Sequence, residues 1–456
     1  MRRMLAHSPV DVVTLDVAPL PAARLEPVER PVRWRLRTRI AFRLCFLYFS
    51  LYVITTQMLG GLLILPGGSL PNLGATGYMK GVVTWTATNV FKVSSPFVTV
   101  NTGSGDKTID WVQSFCLLIA AVVLTAVWSI ADRRRDNYAG LHKWFHLFLR
   151  FAVGSTVVSY GMVKAFPLQM PAPQLTRLLE PFGHFSPMGV LWYSIGASRG
   201  YEMFCGFTEL IGGILLFVPG LRVLGALVTL AASVQIFALN MTYDVPVKLF
   251  AFHLILMCLV LLAPEAKRIM RVLVLNKTAE PSTQPPLFRG VRARRVAFAL
   301  QLLLGAYIVG MNFDSARKAW FTRGGGAPKP PLYGIWNVEE MRVDGVVRSP
   351  LVNDYGRWRR VIIQNATGMS FQRMDDTFQG YSATVDMTAK SIALTSAADK
   401  AFAAKFAIEQ PDPERMVLDG TMGGQKIRLQ LQRFDHTKLQ LLSRGFNWIQ
   451  ERPFNR

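Results

Sequence analysis

Seven stretches of this chain stay apolar over lengths that can cross a bilayer: about 40–65, 110–131, 144–166, 201–219, 222–241, 246–264 and 293–312. The turn Val218-Pro-Gly-Leu-Arg222 and the polar run from Asn240 to Lys248 divide what would otherwise be one long apolar segment. Beyond residue 331 the period changes. Segments 359–364, 368–373, 391–395 and 426–432 alternate or cluster β-formers, and Asp344-Gly345, Asp375-Asp376 and Asp419-Gly420 mark turns between strands. Short strands with no helix between them predict an antiparallel meander that closes into a barrel of about eight strands. The expected fold is therefore an α-helical polytopic membrane bundle followed by a small antiparallel β-barrel domain.

Composition agrees. The chain has 456 residues, 51% of them hydrophobic and only 18% charged. Its net charge of +22 is concentrated beside the apolar segments, in residues 1–39 and in a run from Lys267 to Arg295, so nucleic-acid binding is set aside. Loops 1–39, 132–143, 219–222 and 265–295 hold 21 Lys and Arg, whereas 66–108, 167–200 and 242–248 hold 6. This imbalance predicts a cytoplasmic N-terminus and a C-terminal domain outside a plasma membrane. No signal peptide is expected, because residues 1–38 contain no apolar core of sufficient length.

Six units follow: a basic tail at 1–38, two spans with a long outer loop at 39–143, a four-helix core at 144–275, a basic loop and last span at 276–322, a Gly/Pro linker at 323–331, and the β domain at 332–456. The outer loop 66–108 is expected to form a partial cap. The apolar stretch Pro187–Ala197 is too short to span and is expected as an interfacial or re-entrant segment, with Trp192 and Tyr193 at headgroup depth.

Ionisable residues in the core carry the candidate chemistry, because a charge at mid-bilayer costs roughly 2.5–3.5 kcal/mol unless paired or hydrated. At about 100° per residue, His146, Arg150, Tyr160 and Lys164 form one polar stripe. Snorkelling toward either interface is the plain alternative for His146, Arg150 and Lys164. Glu202 and Glu209 share a face of the next helix, with Glu209 about 10 Å deeper. The glycines beside it, Gly206, Gly212 and Gly213, also suit close helix packing. The Asn240–Lys248 connection adds Asn240, Tyr243, Asp244 and Lys248 on the outer side, and His253 follows in the next helix, where bonding to a neighbouring carbonyl is an alternative role. Lys164 and Glu209 are expected to lie within reach of each other, with His253 and Asn240 close by.

No metal site is expected. His142 and His146 have ligand spacing but no third ligand nearby, and Cys45, Cys116, Cys205 and Cys258 form no CxxC pair. No Walker loop, HExxH or nucleophile elbow occurs in a supporting context.

The run Tyr160-Gly-Met-Val-Lys164-Ala-Phe-Pro, then Gly200-Tyr-Glu-Met-Phe-Cys-Gly-Phe-Thr-Glu209 with Gly212-Gly213, then Asn240–Lys248, resembles the DoxX-like family of bacterial inner-membrane proteins over about residues 144–275. That resemblance implies a four-helix membrane unit. Some members are linked to thiosulfate:quinone oxidation or to redox-stress complexes; many others have no assigned activity. Tyr160-Gly-Met-Val-Lys164 also looks like the transmembrane Lys segment of the vitamin K-dependent carboxylase group. In the C-terminal region, Tyr333-Gly334-Ile335-Trp336 resembles the Gly-x-Trp opening of lipocalin-like barrels.

Two functions are expected from these readings. One is an oxidoreductase component of the bacterial inner membrane that binds a quinone or similar lipophile near the outer leaflet, with Lys164, Glu209 and His253 catalytic and a soluble redox protein as partner. Tyr160, Glu202, Asn240, Tyr243, Asp244, Lys248 and Arg150 would then contact the lipophile. The other is a non-enzymatic carrier, sensor or scaffold that uses the β domain for a lipophilic small molecule.

Overall fold

A computed structural model describes residues 33–65, 68–69, 73–94, 96–282, 284–399 and 401–455. Most of the basic tail expected at 1–38 lies outside the described residues. The helical part runs α1 Leu36–Thr55, α2 Met58–Leu62, β1 Ile64–Leu65, β2 Gly68–Ser69, α3 Gly77–Asn89, α4 Thr108–Ala131, α5 Ala139–Ala165 and α6 Pro187–Gly196. It continues with α7 Arg199–Phe217, α8 Arg222–Thr242, α9 Lys248–Leu262, α10 Ala266–Leu273 and α11 Val291–Arg323. Among the described residues, seven helices are long and apolar enough to cross a membrane: α1, α4, α5, α7, α8, α9 continued by α10, and α11.

The first span is shorter than expected. It stops at Thr55, because Thr56 is extended and the freed Thr55 carbonyl accepts from Gln113 Nε2 at 3.2 Å. The two glycines of Met58–Leu62, Gly60 and Gly61, then support only a short separate helix. In the following outer loop α3 lays Val83 and Ala87 against Val112 of α4.

Helix α5 is the axle of the bundle, with an unbroken buried run from Leu149 to Val158. Helices α7, α9 and α11 all pack on it, and α8 bridges α7 and α9. Arg43 pins α1 to this core beside the N-terminus of α5. It donates to the Tyr138 hydroxyl from Nε at 3.0 Å, to Ser129 Oγ at 2.8 Å and to the Asp132 carbonyl at 3.0 Å.

After α11 the chain enters β3 Gly334–Val343, β4 Val346–Val347, β5 Trp358–Asn365, β6 Gly368–Arg373, β7 Phe378–Asp386, β8 Ser391–Thr395, β9 Ala403–Asp412, β10 Arg415–Met422 and β11 Gln425–Phe434. Successive strands pair antiparallel, and β11 returns to β3, so eight strands close a barrel with β4 as a flap on β3. The Asp344-Gly345 turn takes positive φ at both positions, the hand that matches strand twist in a tight hairpin. Alternate residues point inward: Ala404, Phe406 and Ile408 from β9, Met416 and Leu418 from β10, and Ile427, Leu429 and Leu431 from β11. With Trp336, Phe371 and Met341 they fill the barrel as a packed core. Trp336 is 1% exposed, and its Nε1 donates to the Leu332 carbonyl at 3.0 Å.

The barrel sits on the loop between α5 and α6. Leu175 is buried against Ile335 and Ile362, and its N–H donates to Gln364 Oε1 at 2.8 Å.

Candidate functional site

The site begins with two helices that approach unusually closely. A Cβ on Gly206 of α7 would stand 2.4 Å from the Ala165 nitrogen, and one on Gly161 of α5 would stand 2.8 Å from the Gly206 carbonyl oxygen. Lower down, a Cβ on Gly213 would meet the Gly154 carbonyl at 2.9 Å. Small residues here let the backbones touch. The helices are antiparallel, and helical side chains lean toward their own N-terminus. Lys164, three residues past Gly161, therefore leans inward, while Glu209, three past Gly206, leans outward. Their long side chains meet, and Lys164 Nζ donates to Glu209 Oε1 in a buried ion pair, each side chain only 6% exposed.

The pair lies on the wall of a cavity of about 100 Å³ among α5, α6, α8 and α9. Tyr160 lines it beside the pair: Lys164 Nζ is 5.9 Å from its ring, and its hydroxyl accepts from Gln57 Nε2 at 2.9 Å. Asn240 closes the outer side, its Nδ2 donating to the Val247 carbonyl at 3.3 Å. Apolar walls come from Leu191 and Ile195 of α6 and from Phe250 and Leu254 of α9. Trp192 also faces it, its Nε1 donating to the Gln169 carbonyl at 3.0 Å. Two residues of the lining, Gln169 and Thr229, keep their side-chain oxygens out of the cavity and buried with no hydrogen-bond partner among the described residues, Thr229 Oγ1 lying 2.7 Å from where a Gly212 Cβ would stand. Orphaned buried polar atoms are costly.

The other candidates are dispersed. Glu202 is fully buried one layer outside the cavity. Its Oε1 accepts from the Met170 N–H at 2.9 Å, positioning a residue that lines the space, while Oε2 has no hydrogen-bond partner among the described residues. Tyr243, Asp244 and Lys248 lie at the α8–α9 connection and are not among the residues that line the cavity. Asp244, in the left-handed region with φ +52°, accepts from Lys248 Nζ at 2.9 Å. Arg150 is fourteen residues before Lys164 on the same helix, about 21 Å away, and belongs to the inner end.

His253 does not join the pair, contrary to expectation. It lies about 100° round α9 from the face that carries Phe250, Ala251 and Leu254. It instead meets α1, with its ring stacked on Tyr52 at 4.0 Å and 6°. Nδ1 is 2.7 Å from the Leu249 carbonyl and Nε2 is 2.7 Å from the Tyr48 hydroxyl. Because a carbonyl only accepts, Nδ1 carries the proton and Nε2 accepts from Tyr48. Both nitrogens are satisfied, and the ring ties α1 to α9.

Sequence reasoning missed Thr229 and Ser233, although with Asn240 they fall on one face of α8, a polar stripe that periodicity reveals. It also missed Asp106, whose carboxylate caps α9 from a distant loop by accepting from Lys248 N at 2.8 Å and Leu249 N at 2.9 Å. No local pattern marks that residue. Among the described residues no three His, Cys, Asp or Glu side chains converge as a metal site.

Comparison with known proteins finds one informative relative. The chain is 32% identical over 137 residues to the uncharacterized protein YwoB of Bacillus subtilis (strain 168), covering 28% of this chain and 79% of that protein. The chain belongs to the family of that Bacillus protein. The name of that protein carries no activity, so membership supplies kinship alone. No family model and no solved structure matches the chain.

Proposed function

We propose that α5, α7, α8 and α9 form a DoxX-like unit of the bacterial inner membrane, a component of a membrane redox system that binds the head of a quinone or similar lipophile. The observation that carries this reading is the buried Lys164–Glu209 pair on the wall of an apolar cavity that Tyr160 and Asn240 also line. An apolar cavity of about 150 Å³ accommodates a benzene ring, so this somewhat smaller space suits one ring after modest side-chain adjustment, with its tail leaving between helices. Lys164 would donate to a carbonyl oxygen of the head and Glu209 would accept from a hydroxyl. Tyr160 and Asn240 would orient the ring from either side. The fixed side-chain core of the barrel favours a scaffold over a binding cup in that domain, because the barrel grips Leu175 a few residues from Gln169 and Met170 of the cavity wall. Trp336 sealed under the first strand supports the lipocalin-like resemblance.

The positive-inside count supports a cytoplasmic N-terminus and a periplasmic barrel. Alkaline phosphatase fused after Arg456 should then be active, and a cytoplasm-only reporter at the same point silent.

Titration of the purified full-length protein with a short-tailed benzoquinone tests the binding reading. Quenching of tryptophan fluorescence that saturates in wild type, shrinks in Trp192→Phe and weakens at least tenfold in Lys164→Met is expected. Non-saturating quenching equal in all three proteins would remove quinone binding at this cavity.

A further inference from the structure

At the opposite end of α5 lies a second and larger cavity, of about 380 Å³, enclosed by the inner end of α5, the α7–α8 and α9–α10 turns, segment 284–287 and the first turns of α11. Four cationic side chains line it, Lys143, Arg150, Arg222 and Arg294, against one carboxylate, Glu265. That carboxylate is already engaged. Arg222 Nη2 is 3.7 Å from Glu265 Oε1, Arg268 Nη1 is 3.5 Å from Oε2, and the Ser282 hydroxyl donates to Oε1. Lys143, Arg150 and Arg294 have no acidic partner among the described residues.

Arg150 is the telling member. It is only 6% exposed, donates from Nη2 to Gln301 Oε1, and keeps a buried Nε with no hydrogen-bond partner among the described residues. Gln301 is itself anchored, its Nε2 donating to the Ala297 carbonyl at 2.8 Å. A guanidinium has five donors in a fixed fork, and burying it without an anion is costly. Retention of positive charge at one membrane face explains cations on loops and rims, such as Arg294. It does not explain a guanidinium buried on a cavity wall with no acidic partner among the described residues.

We propose that this cavity is a binding site for a phosphate-bearing anion, held by Arg150, Arg222 and Arg294. Planar guanidinium groups match phosphate oxygens bidentately, and three of them converge where one acid is already neutralised. The volume falls in the range of small-ligand sites and exceeds a bare phosphate, leaving room for a glycerol or similar ester group. The same chemistry is offered by an anionic phospholipid head in the adjoining leaflet or by a soluble phosphate ester. Basic pockets between helices at a membrane face are suited to the first. The site is independent of the outer cavity, about 21 Å away along α5.

Full-length protein in detergent is titrated with inorganic phosphate, and separately reconstituted in phosphatidylcholine with and without phosphatidylglycerol. Thermal stability and lipids retained in native mass spectrometry are read in both arms. Stabilisation by phosphate alone assigns a soluble ligand, and selective retention of phosphatidylglycerol assigns a lipid head; either supports the site. Arg294→Gln, at the exposed rim, should weaken the effect about tenfold, the loss of one charge-assisted hydrogen bond. Lys277→Gln makes the same charge change on an exposed position outside the cavity and should leave it within about twofold. Arg150→Lys, which keeps the charge but loses the fork, should weaken binding with the fold intact. No response in either arm, or equal weakening by Lys277→Gln and Arg294→Gln, would overturn the proposal.

Discussion

Gly161 and Gly206 face each other across the α5–α7 crossing with no room for a single added carbon, the Gly206 carbonyl lying 2.8 Å from where a Gly161 Cβ would stand. This contact sets the height of the two helices relative to each other. It thereby lets Lys164 and Glu209, forty-five positions apart in the chain, share one buried ion pair.

The pair should be strongly coupled. Removing one member leaves an uncompensated buried charge, so Lys164→Met or Glu209→Gln should each destabilise the helical part by about 3–5 kcal/mol. The double variant should be closer to wild type than Lys164→Met alone, because no charge remains to be buried. A double-mutant cycle of thermal stabilities in detergent measures this. Additive losses would make Glu209 a packing residue and Lys164 a snorkelling one.

Gly206→Val should act through geometry. Its side chain would press on the Ala165 and Gly161 backbones, and overpacking of this kind costs about 1–3 kcal/mol. Because the helices must separate, the Lys164–Glu209 coupling energy should also shrink when the cycle is repeated in this background. A destabilised protein with unchanged coupling would show that the glycine contact does not position the pair.

Expressed alone from Pro330, the barrel should give a β-type circular dichroism spectrum and one cooperative urea transition, since its strands close on themselves and fill their own core. Trp336→Ala should cost about 3–5 kcal/mol, the range for truncating a buried aromatic. A helical or unfolded spectrum would show instead that the barrel depends on the loop at Leu175.

Acid stability of that domain should depend on Asp354. Arg348 forks onto its carboxylate at 2.6 and 2.7 Å and holds its pKa below the ordinary carboxylate value through those hydrogen bonds, against a smaller opposing effect of burial. A depressed folded-state pKa means stability that is present above the unfolded value and lost as pH falls through the folded one. Asp354→Asn should therefore cost about 0.5–1 kcal/mol near neutrality. Its stability curve should converge with that of wild type on acidification below the ordinary carboxylate range. Curves that stay parallel to the lowest pH would assign the effect to packing.

The number of membrane helices, the place of all but the first, the four strand segments read from period-2 patterns and the barrel class were legible in the chain, because each depends on repeats within one element. Lys164, Glu209 and Asn240 were legible as candidates for the same reason: a charge or amide in an apolar run stands out locally. What the chain did not show was which faces meet. His253 shares a membrane side with the pair, yet it turns to Tyr48 and Tyr52 on α1, a helix more than two hundred positions away. Asp106 caps α9 from 142 positions away. Arg150 gains its significance only where four chain segments enclose it. Periodicity is set by short-range backbone geometry, so a sequence carries it openly. The rotation and height of one helix against another are set by side-chain packing and by backbone approaches such as Gly161 to Gly206, and those exist only in the assembled bundle.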